Sequence, residues 1–248
     1  ILLVPDAQQP KEIKEALERG EGRWLRPTPL NPALVSVPDM TARLAAVTVS
    51  WDDAFHLREG RAAVDGKPAV PGLRRPQIGA LHAALAHATR STEPATIVMP
   101  TGTGKTETML ALNARQQFDR LLVVVPTDAL REQIAGKFET FGVLKSQACL
   151  DASADYPVVT RLAHIPSSVA EVDQIFDTAS VIVTTMHIAG RADPQVQEQM
   201  AARAAALFID EAHHIGARTW SEFRGLFVDR KPPIPILPVA LIGLAIVL

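Results

Sequence analysis

Between residues 95 and 210 the chain alternates short apolar runs with segments of helical periodicity. The runs have the length and the β-branched content of strands buried on both faces of a sheet. They cover residues 95–98, 121–125, 180–185 and 206–209, with a weaker candidate at 157–162. Helices are predicted between them, at residues 107–116, 128–141, 169–176 and 195–206. This order predicts an α/β fold with a doubly wound, mostly parallel sheet and helices on both faces.

Residues 1–71 carry weaker patterns and no motif. Residues 11–19 show a short amphipathic helical pattern. Val47, Val49 and Trp51 alternate with polar residues, which predicts a strand with one buried face. We interpret 1–71 as an N-terminal accessory region, a small cap packed on the next domain. An accessory domain and a remnant of a substrate-recognition region are the alternatives.

A glycine-rich loop follows the run at 95–98 and leads into a predicted helix. Its glycines allow a tight turn that brings backbone N–H groups close to phosphate oxygens, at the positive end of the helix dipole. The lysine would reach the β and γ phosphates, and the last threonine would help to hold Mg²⁺. The phosphate-loop pattern Gly-x-x-x-x-Gly-Lys-Ser/Thr is not matched strictly, because Met99 stands at its first glycine. The predicted nucleotide contacts in this loop are Thr101, Gly102, Thr103, Gly104, Lys105 and Thr106.

Two adjacent acids, Asp210 and Glu211, follow the apolar run at 206–209. At the carboxyl edge of a parallel sheet, Asp210 would bind Mg²⁺ through water. Glu211 would orient and deprotonate the water that attacks the γ phosphate. A surface acid pair after a strand is the alternative, and the phosphate loop upstream argues against it.

The loop around Lys105 and the segment Asp210-Glu211-Ala212-His213 resemble motifs I and II of superfamily 2 helicases and translocases. The resemblance is to the branch that contains the helicase subunits of restriction enzymes, and it covers roughly residues 72–230. It implies a RecA-like lobe that binds ATP and Mg²⁺ and acts on nucleic acid. It also implies that His213 couples the nucleotide site to the rest of the motor.

A predicted helix upstream of the loop carries a candidate adenine-binding residue. Pro76 suits the first turn of a helix, and the apolar residues that follow it form one stripe. Gln77 lies at its start, in a segment that resembles the family's adenine-reading glutamine. An amide can donate to and accept from an adenine edge at once, so Gln77 would select ATP over GTP. A solvent-facing glutamine is the alternative.

Two further segments resemble the family's nucleic-acid contacts. Pro126 and Thr127 end the run at 121–125 and begin a helix, and they resemble motif Ia. Free N–H groups and the dipole of a helix start can bind a phosphate backbone without net positive charge. Thr184 and Thr185 end the run at 180–185 and resemble motif Ib. A plain turn and plain strand threonines are the alternatives.

Composition narrows the class of protein further. Lys plus Arg number 25 and Asp plus Glu number 27, so the chain lacks the excess of basic residues that indicates nucleic-acid binding. Any contact with nucleic acid must therefore be local. Cys149 is the single cysteine, and no zinc spacing occurs, which favours a reduced, cytoplasmic location. No stretch reaches the roughly 20 apolar residues of a membrane span. Because the chain starts at Ile1, we expect a fragment of a longer protein.

The end of the chain departs from the family. Where a strand and a Ser/Thr-Ala-Thr motif are expected, residues 232–238 contain four prolines, and an uncharged run follows to Leu248. Proline lacks an N–H and fixes φ, so we predict neither a central strand nor a regular helix at the prolines. We interpret 232–248 as an atypical apolar tail that arises from a frameshift or a premature end. A native tail that binds a partner or the sheet edge is the alternative.

These features predict the ATP-binding lobe of an ATP-dependent DNA helicase or translocase, with the lobe at 72–231. In the resemblance, a second RecA-like lobe supplies arginines for hydrolysis, so we expect weak ATP binding and slow turnover from this chain alone. DNA is preferred over RNA as the partner, and no membrane is expected. The alternatives are a non-catalytic module that binds nucleotide and nucleic acid, and an RNA-directed helicase.

Overall fold

The computed structural model describes residues 2–3, 23–24, 39–65, 67–91, 95–100, 102–210, 222–223, 225–227, 237–242 and 245–247. The helices in this part of the chain are α1 (Met40–Val49), α2 (Arg75–Ala88), α3 (Lys105–Gln116), α4 (Asp128–Thr140), α5 (Val169–Thr178), α6 (Met186–Ala189) and α7 (Pro194–Arg203). The strands are β1 (Leu2–Leu3), β2 (Arg23–Trp24), β3 (Ala95–Val98), β4 (Leu121–Val125), β5 (Val159–Arg161), β6 (Val181–Thr185), β7 (Ala206–Ile209), β8 (Leu237–Ile242) and β9 (Ala245–Val247). The strands and helices predicted between residues 95 and 209 are therefore confirmed, with bounds shifted by a few residues.

One sheet contains strands β3 to β9 in the order β3-β9-β8-β7-β4-β6-β5, and β3 also pairs directly with β8. The pairs β3–β8, β8–β7, β7–β4, β4–β6 and β6–β5 are parallel. Only β9 runs antiparallel among the strands of this sheet that the structure describes. The carboxyl ends of β3, β4, β6 and β7 consequently lie at one edge.

The central strand β4 separates two cores. Successive side chains of a strand point to opposite faces, so Leu121, Val123 and Val125 enter one core while Leu122 and Val124 enter the other. The buried apolar residues of α2 to α4, with Val47 of α1, belong to the first core, and those of α5 to α7 belong to the second. The predicted arrangement of helices on both faces of a parallel sheet is confirmed.

The segment before α2 differs from its prediction. The strand expected around Val47 and Val49 is wrong, because these residues lie in α1. The N-cap Asp39 accepts the N–H groups of Thr41 and Ala42, which starts the helix. Val47 and Trp51 are buried at helical spacing, whereas Val49 is exposed. Val47 and Trp51 are four residues apart, a spacing that fits one face of a strand as well as one face of a helix. The capped helix is the structure that forms.

The strand β8 contradicts the expectation that prolines exclude a central strand. Pro238 is its second residue and lies opposite Leu207 of β7 in a parallel pair. A proline near a strand start removes at most one donor from the ladder, and the residues after it supply the remaining pairing. The tail strands β8 and β9 lie between β3 and β7 in the sheet order.

Some predicted features fall outside the described residues, among them the helix at 11–19. Near the end of the chain, Phe223 and Phe227 are buried in the second core with ring centroids 5.4 Å apart. In the described ranges, no helix combines the length and the hydrophobicity that crossing a membrane requires.

Candidate functional site

The loop after β3 has the backbone geometry of an anion-binding turn. Gly102 and Gly104 have φ angles of +78° and +93°, in the left-handed region that favours glycine. Gly104 is the N-cap of α3, so Lys105 and Thr106 form its first turn, and both are partly buried. The first N–H groups of a helix have no partner inside the helix, and they carry the positive end of its dipole. This turn therefore opens α3 in a way that suits an anion, and the phosphate contacts of the loop residues stay a prediction.

Met99 occupies the place of the first glycine in the phosphate-loop pattern. Its side chain is 2% exposed, and its sulfur lies 3.6 Å from Oγ1 of Thr108 in α3. The Thr108 hydroxyl also donates to the Gly104 carbonyl at 3.2 Å. Met99 thus packs in the first core, against α3, and the turn is formed by Gly102 and Gly104.

Gln77 holds the phosphate loop from the side of α2. Its Nε2 donates to the Gly104 carbonyl at 3.2 Å, and its Oε1 accepts the Arg74 N–H at 2.8 Å. The residue is 5% exposed, so the alternative of a solvent-facing glutamine is wrong. The φ of +93° favours glycine at position 104, and a Cβ there would also stand 1.9 Å from this Nε2 and displace the Gln77 amide. An adenine contact by Gln77 stays a prediction, and it would require the amide to exchange these partners.

Arg74 makes a second contact with the loop that the sequence did not predict. Its Nη1 donates to the Gly102 carbonyl at 2.7 Å. Arg74 is the N-cap residue of α2, directly before its first turn. Two residues at the start of α2 therefore hold the two glycines whose backbone forms the turn.

Asp210 is the first residue after β7, at the same sheet edge as the loop. It is 4% exposed, and its N–H donates to the Val124 carbonyl at 2.9 Å, so the ladder between β7 and β4 fixes its backbone. Its carboxylate and the Thr106 hydroxyl are oxygen donors of the kind that Mg²⁺ prefers. Glu211, His213 and Thr101 lie outside the described residues, so their roles stay predictions. Within the described part of the chain, no group of three or more His, Cys, Asp and Glu side chains could hold a metal ion.

Two loop ends carry the residues predicted to contact nucleic acid. Thr127 is exposed, and its Oγ1 caps α4 by accepting the Leu130 N–H at 3.3 Å. Pro126, before it, is partly buried. Thr184 is fully buried and donates to the Leu162 carbonyl, and Thr185 caps α6. The start of α4 is thus accessible to a ligand, whereas the threonine hydroxyls that end β6 are used inside the fold.

A separate cavity of about 320 Å³ lies at the other end of α3. It is lined by Trp51, Asp53, Phe55, His56, Leu57, Leu81, Leu85, Ala114, Arg115 and Gln117. None of the predicted nucleotide contacts belongs to this lining. A helix rises 1.5 Å per residue, so roughly ten residues of α3 separate the cavity from the loop by about 15 Å.

The fold and the site define a RecA-like α/β lobe with a phosphate loop at the carboxyl edge of its sheet. The family model described as "Type III restriction enzyme, res subunit" matches residues 71–232, which is more than half of the chain. The chain therefore belongs to this family, and the resemblance stated from its motifs is confirmed. No protein of curated function matches the sequence.

Solved structures share the fold at low sequence identity. The helicase Lhr of Mycobacterium smegmatis, bound to ssDNA and AMP-PNP, matches 83% of this chain with 18% identity and a TM-score of 0.50. The UvsW helicase of bacteriophage T4 matches 78% with 15% identity and a TM-score of 0.49. T. fusca Cas3 bound to ATP matches 94% with 15% identity and a TM-score of 0.45. This chain spans 58% of the UvsW chain and 25% of each of the other two.

Proposed function

We propose that this chain is the ATP-binding lobe of an ATP-dependent helicase or translocase that acts on DNA. The observation that carries the proposal is the left-handed turn at Gly102 and Gly104, which opens α3 at the sheet edge that also presents Asp210. Membership of the restriction-enzyme family supports the same function. The lobe would comprise residues 72–231, with an accessory region at 1–71.

The residues at this edge divide the work of phosphoryl transfer to water. The N–H groups of the loop and the Lys105 ammonium bind and orient the β and γ phosphates. Thr106 and Asp210 would hold Mg²⁺, which neutralises charge on the phosphate oxygens when it is bound. Glu211 accepts a proton from the attacking water, and Gln77 reads the adenine edge. His213 couples this site to the rest of the motor.

Nucleic acid would bind at the start of α4. The exposed N-terminal turn after Thr127 offers N–H groups and a helix dipole to a backbone phosphate. Asp128 lies in this turn, and its carboxylate is paired with Arg131 at 2.5 Å, which reduces its repulsion of phosphate. A second contact at Thr184 and Thr185 would have to use backbone groups, because both hydroxyls are used inside the fold. These contacts involve the backbone of the ligand, so DNA and RNA would differ only through contacts with the 2′-OH.

In this proposal, the whole protein contains more than this one lobe. A second RecA-like lobe would face the phosphate loop and supply arginines that stabilise the transferring phosphoryl group, an effect of about 10³ to 10⁵ in rate. The lobe alone would bind ATP weakly and hydrolyse it slowly. We place the protein in the cytoplasm, because its single cysteine, Cys149, is buried and free.

The test is binding of a fluorescent ATP analogue with Mg²⁺, followed by ATP turnover with and without single-stranded DNA or RNA. Lys105→Ala should weaken nucleotide binding by about a hundredfold or more, because it removes the cation that pairs with the β and γ phosphates. Lys67→Ala, an exposed lysine outside the site, is the matched control and should bind as the wild type does.

Glu211→Gln separates a motor from a binding module. In a motor it should abolish the residual turnover and leave nucleotide binding intact. Wild-type protein that binds nucleotide and has no turnover to lose would indicate the non-catalytic module. Wild-type protein that binds no nucleotide would refute the proposal.

A further inference from the structure

The carboxylate of Glu107 lies between the phosphate loop and a lysine of α4. Its Oε1 is 3.1 Å from Nζ of Lys137. Its Oε2 is 3.2 Å from the point at which a Cβ on Gly104 would stand. Glu107 is 16% exposed and Lys137 is 38% exposed. A negative charge therefore stands beside the turn whose N–H groups would receive phosphate.

Close packing of two helix ends positions this pair. Phe141 and Gly142 adopt positive φ angles and end α4, and the Gly142 N–H donates to the Lys137 carbonyl at 2.9 Å. A Cβ on Gly142 would stand 2.9 Å from Cδ1 of Leu110 in α3. Glycine at this position lets the end of α4 approach the first turns of α3, and Lys137 is placed against Glu107 by this approach.

The pair of Glu107 and Lys137 lies beside a loop whose proposed ligand is negatively charged, as Glu107 is. Nucleotide phosphates bring several negative charges to the loop, and charges that are partly buried are screened less than charges at the surface. Glu107 is also the third residue of α3, from which a side chain can accept the N–H of the N-cap residue. That residue is Gly104, so an uncompensated Glu107 carboxylate would repel phosphate and compete with it for an N–H group.

We propose that Lys137 is a positioning residue that sets the phosphate affinity of the loop by neutralising Glu107. This inference rests on the proposed nucleotide-binding function. This role of Lys137 differs in one respect from that of a residue that only holds α3 and α4 together. If Lys137 acts through the charge of Glu107, then loss of that charge makes Lys137 dispensable for nucleotide binding.

A double-mutant cycle on the full chain tests this inference. The dissociation constant of a fluorescent ATP analogue is measured with Mg²⁺ for the wild type, Lys137→Met, Glu107→Gln and the double variant. Lys137→Met should weaken binding by about three- to tenfold, as expected for loss of a partly exposed charge compensation. The double variant should bind within about twofold of Glu107→Gln. Raising the salt concentration should reduce the defect of Lys137→Met.

Three further variants separate charge from packing. Lys137→Arg keeps the charge and should bind as the wild type does. Lys137→Gln removes the charge, keeps a polar tip, and serves if Lys137→Met folds poorly. Arg203→Met removes charge contacts between α7 and α5, in which Nη1 of Arg203 lies 2.7 Å from Oδ1 of Asp173 and the guanidinium also pairs with Asp177. It should leave the dissociation constant unchanged, and urea unfolding of each variant gives its stability.

The outcomes are distinct. A wild type that binds no nucleotide overturns the proposed function and this inference with it. A wild type that binds, with Lys137→Met and Lys137→Gln binding equally well, overturns the inference alone. A double variant as weak as Lys137→Met also overturns it, because the defect would then not depend on the Glu107 charge.

Discussion

The strands β7 and β3 lead into the two halves of the site, and they are held in different ways. All residues of β7 are buried, and the strand pairs with β4 on one side and β8 on the other. In β3, by contrast, Val98 is 67% exposed, and the strand stands at the end of the sheet order. The ladder fixes Asp210, whereas side chains from α2 and α3 hold the phosphate loop.

This difference separates the stability of the fold from the shape of the site. The backbone of Asp210 continues a buried ladder, so it can change position only if the centre of the sheet changes. The loop depends on a few hydrogen bonds, from Gln77, Arg74 and Thr108, to the carbonyls of Gly102 and Gly104. Substitutions in β7 should therefore unfold the protein, whereas substitutions at the loop should alter binding with a smaller loss of stability.

The largest expected effect is on β7. Phe208 is fully buried and packs edge-on against Phe118 with ring centroids 5.8 Å apart. Phe208→Ala should lower the free energy of unfolding by about 3 to 5 kcal/mol, because it leaves a cavity in the core. Urea unfolding measures it. Val98→Ala in β3 is the matched control and should change stability by less than about 0.5 kcal/mol. Equal losses in the two strands would contradict the comparison.

An intermediate effect is expected at the loop. Gly104→Ala places a Cβ 1.9 Å from Nε2 of Gln77 and forces a positive φ on a non-glycine residue. It should lower stability by about 1 to 3 kcal/mol and weaken nucleotide binding more than this loss explains. Gly79→Ala in α2 is the control, since a Cβ there meets no atom within 4 Å and should stabilise the helix by about 0.5 to 1 kcal/mol. Nucleotide binding that is unchanged in Gly104→Ala would show that the turn does not carry the site.

The smallest expected effect is on the other face of the sheet, in α5. The backbone N–H of Ser167, with help from the Ser167 hydroxyl and His164, lowers the pKa of Glu171 to about 2. A lowered pKa in the folded state means that the carboxylate stabilises the fold above its ordinary pKa, near 4.5, and that this contribution is lost as the pH falls towards 2.

Glu171→Gln should therefore be less stable than the wild type at pH 7, and the difference should shrink steadily between pH 5 and pH 3. The midpoint of urea unfolding at several pH values measures it. A difference that does not vary with pH would show that packing, rather than charge, is responsible. Nucleotide affinity at pH 7 should stay unchanged, because α5 packs on the face opposite α3.

The sequence predicted those parts of the molecule that depend on local pattern. Continuous apolar runs predicted β4 and β7, because both faces of these strands are buried. Helical spacing of apolar residues predicted α3 and α4, because each of these helices buries one face. The strand β8 was not predicted, because prolines disfavour a strand and the sequence alone does not show that Pro238 lies near the strand start, where it removes at most one donor. The pair of Glu107 and Lys137 was not predicted either, because a contact between residues 30 positions apart depends on how two helices pack.

The sheet order has a consequence for synthesis on the ribosome. Among the described strands, β3 pairs only with β8 and β9, and β7 is joined to β3 through them. Lys105 and Asp210 are both translated before residues 237–247 emerge. Until then β3 has no strand partner among the described residues, and its pairing with β8 spans more than 130 residues of chain, the kind of long-range closure that slows folding.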